Sequence, residues 1–206
     1  MPGTRDRTGQ MSYAAPVLGV LGGLVGIADT IPYVRDTVGG STRPHRGTWL
    51  IWGLLAIVAF IAQLADGASW SAVMAGTQAV LTGAVFLLAI RYGEGGMSAS
   101  DLGLIALAGG GVIGWILARE PIVAVGCVIA ADLMAFAMMV PKVRRDPHSE
   151  TVSTYALASV GGALATGAVG MVDLSLILYP VYYCLANGAA AILIHQQRSV
   201  CATAPR

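Results

Sequence analysis

Over most of the chain, apolar residues follow one another without the polar interruptions that a soluble helix needs on its wet face. Seven such runs stand out, at 16–34, 48–64, 72–90, 102–117, 122–140, 152–171 and 174–194. A membrane-crossing helix needs about 20 predominantly apolar residues. The pattern therefore predicts an all-α, polytopic membrane protein with seven transmembrane helices, a tail at 1–15 and another at 198–206. The fourth run is short, and the sixth is built of Gly, Ala, Ser and Thr more than Leu. Both suit helices buried among other helices rather than facing lipid.

Composition narrows the class. Of 206 residues 56% are apolar and 11% charged, against about 25% charged in a soluble domain. A net charge of +1 leaves no basic face for nucleic acid, so the first expected partner is the lipid bilayer. The 27 glycines include Gly19 with Gly23, Gly22 with Gly26, Gly110 with Gly114, and the Gly161-Gly162 pair. Such spacings read as close helix packing. Cys127, Cys184 and Cys201 have no metal-ligand spacing, and neither metal nor cofactor is expected. His45, His148 and His195 fall in or beside loops, where solvated histidines are the default.

The basic residues are distributed unevenly. Arg35, Arg43, Arg46, Arg91, Lys142, Arg144, Arg145, Arg198 and Arg206 fall on one side of the expected membrane, and Arg5, Arg7 and Arg119 on the other. Positive residues mark the cytoplasmic side. The expected orientation is N-terminus outside and C-terminus in the cytoplasm, in a plasma (inner) membrane.

Spans one to three resemble spans five to seven. Ile31-Pro32-Tyr33-Val34-Arg35 pairs with Val140-Pro141-Lys142-Val143-Arg144 at an offset of 109, Gly47-Thr48-Trp49 with Ser153-Thr154-Tyr155 at 106, and Thr82-Gly83-Ala84 with Asn187-Gly188-Ala189 at 105. Three spans that start outside end inside, so a second parallel copy requires one extra crossing. The expected plan is two parallel three-helix repeats, 16–92 and 120–197, joined by a linker helix at 100–118. A proline at the end of the first helix of each triplet, then a basic loop and a polar helix start, resembles the PQ-loop and SWEET superfamily of transporters. Here those positions are Pro32 with Ser41-Thr42-Arg43-Pro44, and Pro141 with Ser149-Glu150-Thr151-Val152-Ser153. The name-giving Gln is replaced by Tyr33 in one copy and Lys142 in the other. The resemblance implies a carrier working by alternating access, with the seventh-helix Asn187 in the substrate pocket.

Ionisable residues at membrane depth are costly and are functional hypotheses by default. Asp132 lies mid-span in the fifth run, and Asp29 lies a turn before Pro32. Gln78 and Thr82, four apart, share a helix face, and their repeat counterparts are Tyr183 and Asn187. A buried amide needs partners, which a ligand or another helix supplies. Trp49 and Trp52 open the second run, with Tyr155 the counterpart of Trp49; the interfacial aromatic belt accounts for such residues as readily as a site does. Pro32 and Pro141 read as paired hinges or as helix ends. The expected function is alternating-access transport of a small polar solute (a sugar, vitamin or nucleoside), with proton coupling through Asp132 open and homo-oligomerisation open. A non-transporting receptor or scaffold and a small membrane enzyme are the alternatives. No His cluster or Ser-His pair points to catalysis, so the chain is not expected to be an enzyme.

Overall fold

A computed structural model describes residues 8–65, 70–96, 98–118, 121–168 and 174–203. Seven α-helices follow in order: α1 Thr8–Val38, α2 Arg46–Ala65, α3 Trp70–Tyr92, α4 Ala99–Leu117, α5 Pro121–Arg145, α6 Val152–Ala168 and α7 Leu174–Thr203. A short 3₁₀ turn, Pro147–Ser149, separates α5 from α6. Among the described residues no strand forms, and one isolated bridge joins His45 to Glu94.

Every expected apolar run contains a helix, and several helices outlast their runs. α5 continues to Arg145, where Lys142, Arg144 and Arg145 occupy the last turn and favour the negative end of the helix dipole. α7 continues through most of the expected tail, because the Arg198 guanidinium finds acceptors in the Pro147 and Glu150 carbonyls. α1 begins at Thr8, so most of the residues expected as an N-terminal tail from position 8 on are helical. Pro32 and Pro141 both lie within helices that run past them, so neither proline ends its helix.

Short connections bring the α1–α2, α3–α4 and α5–α6 links and the C-terminal part of α7 to one end, here called the basic end. Arg43, in the first link, pairs with Glu94 in the second and Asp146 in the third. Helix order does not follow chain order: α3 packs between α1 and α2, and α7 between α5 and α6. α1 lies against α6 and α2 against α5, which closes a ring α1–α3–α2–α5–α7–α6. α4 sits outside that ring against α5 and α2.

The core is thickest toward the basic end. Tyr33, Trp49, Val85, Ala89, Met139, Val143, Tyr155, Ala190, Ala191 and Ile194 form one cluster drawn from all six ring helices. Ile51, Leu55, Ala108, Ala131, Ala135 and Met138 form a second between α2, α4 and α5. The outside of the bundle is apolar: on α1 alone Val17, Val20, Leu21, Leu24, Ile27 and Ile31 are exposed. Val17–Val38, Val125–Arg145 and Ile177–Ala202 are long and apolar enough to cross a membrane. Between helices, packing demands Gly162 of α6, where a Cβ would lie 2.7 Å from the Cys184 backbone nitrogen of α7, and in the α3–α4 link it demands Gly93, where a Cβ would lie 2.4 Å from the Pro44 carbonyl. Gly19 and Gly110 meet nothing within 4 Å, so the glycine spacings are only partly used.

Candidate functional site

Two polar regions lie inside this apolar frame. The first is in the middle of the helices. Asp132 of α5 is buried and accepts a 2.6 Å hydrogen bond from the Tyr182 hydroxyl of α7, with the Trp52 side chain of α2 also reaching its carboxylate. Asp29 of α1 is buried, and its hydrogen-bond donor is the adjacent Thr30 hydroxyl at 3.0 Å. The Tyr183 phenol lies within electrostatic reach of both carboxylates. Tyr179 stacks obliquely on Tyr182 and Tyr183, with ring centroids 6.1 Å away in each case. α7 therefore carries a tyrosine face toward two carboxylates from different helices.

The expected amide site takes a local form. Asn187 donates to the Tyr183 carbonyl at 2.9 Å, and Thr82 to the Gln78 carbonyl at 2.8 Å. Each is a bond to the residue four positions earlier on the same helix, so the donors and the acceptors are each related by the repeat offset of 105. The Gln78 side-chain oxygen faces Gly26 of α1. Asp29, Asp132, Tyr183 and Trp52 are thus brought toward one region, whereas Asn187 and Thr82 are held by their own helices.

The second region, at the basic end, was not expected from the loop charges. Lys142 and Glu150 form an ion pair in which each side chain is 1% exposed. The Lys142 ammonium also donates to the Arg43 carbonyl and, at 3.2 Å, to the Ser149 carbonyl. Its three protons therefore meet three oxygens. The other Glu150 carboxylate oxygen accepts from the Tyr33 hydroxyl at 2.9 Å and the Tyr155 hydroxyl at 3.0 Å. The Trp49 indole N–H donates to the Tyr33 oxygen at 2.9 Å. Trp49, Tyr33 and Tyr155 are therefore parts of this network rather than of the mid-helix cluster, while Trp52 links the two, its ring edge-on to Trp49 at 5.0 Å. Nearby, the Thr42 and Thr151 hydroxyls are 2.7 Å apart, and Thr151 donates to Asp36.

His45 departs from the solvated default. It is buried over Gly95, whose φ of +68° a side chain would strain and whose Cβ would strike the ring. Nδ1 faces the Thr48 N–H and hydroxyl, each at 3.3 Å, capping α2, and Nε2 faces Asp101 at 3.7 Å. Burial lowers its pKa from the ordinary 6.5, against the opposing pull of Asp101. For Asp101, burial acts upward, but hydrogen bonds from Ser98 and Gly96 outweigh it and hold the carboxyl below the usual 3.8. Asp101 and Ser98 form the reciprocal cap of α4.

Contacts between the halves come in matched pairs. The Thr48 hydroxyl of α2 donates to the Ala135 carbonyl of α5, and the Thr154 hydroxyl of α6 donates to the Asp29 carbonyl of α1, both at 2.8 Å. Within each half a second pair matches: the Trp49 indole donates to Tyr33 and the Tyr155 hydroxyl contacts Met139, each across 16 residues. Comparison with known protein families, characterised proteins and solved structures finds no match.

Proposed function

We propose that the chain is a seven-span membrane carrier of two parallel three-helix repeats, resembling the PQ-loop and SWEET superfamily, that moves a small polar solute by alternating access. The ring order favours the repeat reading. Exchanging α1, α2 and α3 for α5, α6 and α7 leaves every ring neighbour relation unchanged. The matched contacts favour it too, and they set its register. Thr48 with Thr154, Trp49 with Tyr155, Tyr33 with Met139 and Asp29 with Ala135 all correspond at an offset of 106. In that register Pro141 corresponds to Arg35, one turn nearer the basic end than Pro32. The two prolines then sit at different depths in their helices.

One observation carries the functional reading: the first helix of each half buries a carboxylate, Asp29 and Asp132, and Asp132 is held by the Tyr182 hydroxyl of α7. Carboxylates at that depth are retained at a cost and mark solute or proton pathways. The basic end, read as cytoplasmic from its charge, is closed in this conformation by the Glu150 network. Alternating access requires the opposite end to open in its turn.

Thermal-shift screening of purified protein against sugars, nucleosides, vitamins and amino acids, then counterflow in vesicles with any hit, tests transport. Counterflow absent for every stabilising solute would leave a receptor. Asp132→Asn is expected to abolish dependence of uptake on a proton gradient, and an unchanged pH dependence would remove Asp132 from coupling.

A further inference from the structure

At the basic end, Glu150 is held from both halves at once. Tyr33 comes from the first half and Tyr155 from the second, and both donate to the same carboxylate oxygen. Lys142, on the other oxygen, reaches back to the Arg43 carbonyl of the first half. The backbone is anchored as well, since the Glu150 carbonyl accepts from Arg198 of α7 at 2.6 Å. The α1–α2 and α5–α6 links meet beside it through Thr42 and Thr151.

We infer that Glu150 is a latch, whose release from Tyr33 and Tyr155 opens the basic end. A carboxylate withdrawn part of the way would lose its donors while still in a dry core, where an unpaired charge is most costly. Only a separation wide enough to admit water supplies replacement donors. The intermediate position is therefore disfavoured and two positions remain, seated and hydrated, which is the discrete behaviour of packed interfaces that switch. The purpose of the opening rests on the carrier reading above; the latch itself does not.

The reporter is Thr37, a fully buried residue of α1 whose hydroxyl has no hydrogen-bond partner, so that Thr37→Cys breaks no bond. The full chain, with Cys127, Cys184 and Cys201 replaced by alanine, is purified in micelles and treated with a charged maleimide. Labelling is expected to be slow with the latch intact. Tyr33→Phe and Tyr155→Phe each remove a hydrogen bond to a charged group, and each should speed labelling about tenfold. Thr48→Val cuts a different bond between the halves and should leave the rate within about twofold of the parent. Equal rates in the parent and both tyrosine variants would overturn the latch, as would a Thr48→Val effect as large as theirs. Faster labelling in a protein with no counterflow would keep the latch and remove the carrier. Unchanged labelling in a protein that transports would do the reverse.

Discussion

Lys142→Met keeps the length and the apolar stem of the side chain and removes its charge. Three oxygens then lose their donor: one from the Glu150 carboxylate and the carbonyls of Arg43 and Ser149. With both side chains 1% exposed, water does not replace it. Removing one partner of a buried pair costs about 3–5 kcal/mol. The Tyr33 and Tyr155 hydroxyls remain on the carboxylate and point to the lower part of that range. The double variant Lys142→Met/Glu150→Leu removes both charges, and apolar replacement of a buried pair is often neutral or stabilising. It leaves two tyrosine hydroxyls without an acceptor, so it should recover most but not all of the loss. Arg35→Gln is the control: its pair with Asp36 has the arginine side chain 78% exposed, and such a pair is worth less than about 1 kcal/mol. Reversible unfolding in mixed micelles, followed by circular dichroism, ranks the three. A Lys142→Met loss no larger than that of Arg35→Gln would refute the reasoning, as would a double variant less stable than the single.

Three further outcomes follow from particular contacts. With the pKa of His45 lowered by burial, the unfolded chain binds more protons than the folded one just below 6.5, so stability should fall as pH drops through that range. His45→Gln should flatten that part of the profile, and an unchanged slope in pH-dependent melting would exclude His45. Gly162→Ala places a methyl group against the α7 backbone at Cys184 and should cost about 1–3 kcal/mol, whereas Gly19→Ala should be neutral, both read by melting temperature. Thr48→Val and Thr154→Val should each cost about 0.6 kcal/mol by unfolding in micelles, and clearly unequal losses would count against their equivalence.

The helices were legible because exposed and core-facing positions are both apolar, leaving uninterrupted runs. The charged groups at the basic end were not legible in the same way. A lysine and a glutamate eight residues apart across a turn look like solvated loop charges. What buries them is Tyr33, 117 residues before Glu150, and no local pattern reports such a contact. One signal was available: the residue after each repeat proline is Tyr33 in one copy and Lys142 in the other. Both point into the basic-end network, although their equivalence shifts by a turn. Asp132 was visible as a charge in an apolar run, but its partner Tyr182 was not. Thr82 and Asn187 stood out by repeat position, and each donates to the carbonyl four residues earlier on its own helix.

The reciprocal threonine bonds have a consequence for how the chain is made. α1 packs against α6 and offers its Asp29 carbonyl to Thr154, 125 residues later. In the seven-span reading proposed above, the first three helices enter the bilayer during synthesis long before the surface that completes them exists. Until then, the flank of α1 that will receive α6 faces lipid or the insertion machinery, with a buried carboxylate still waiting for its neighbours. Assembly therefore turns on the arrival of the sixth helix, and a truncation before it would leave a fragment open to degradation. If the two halves were made as separate chains, each would carry the missing flank of the other, and reassembly of the bundle would follow from the same pair of bonds.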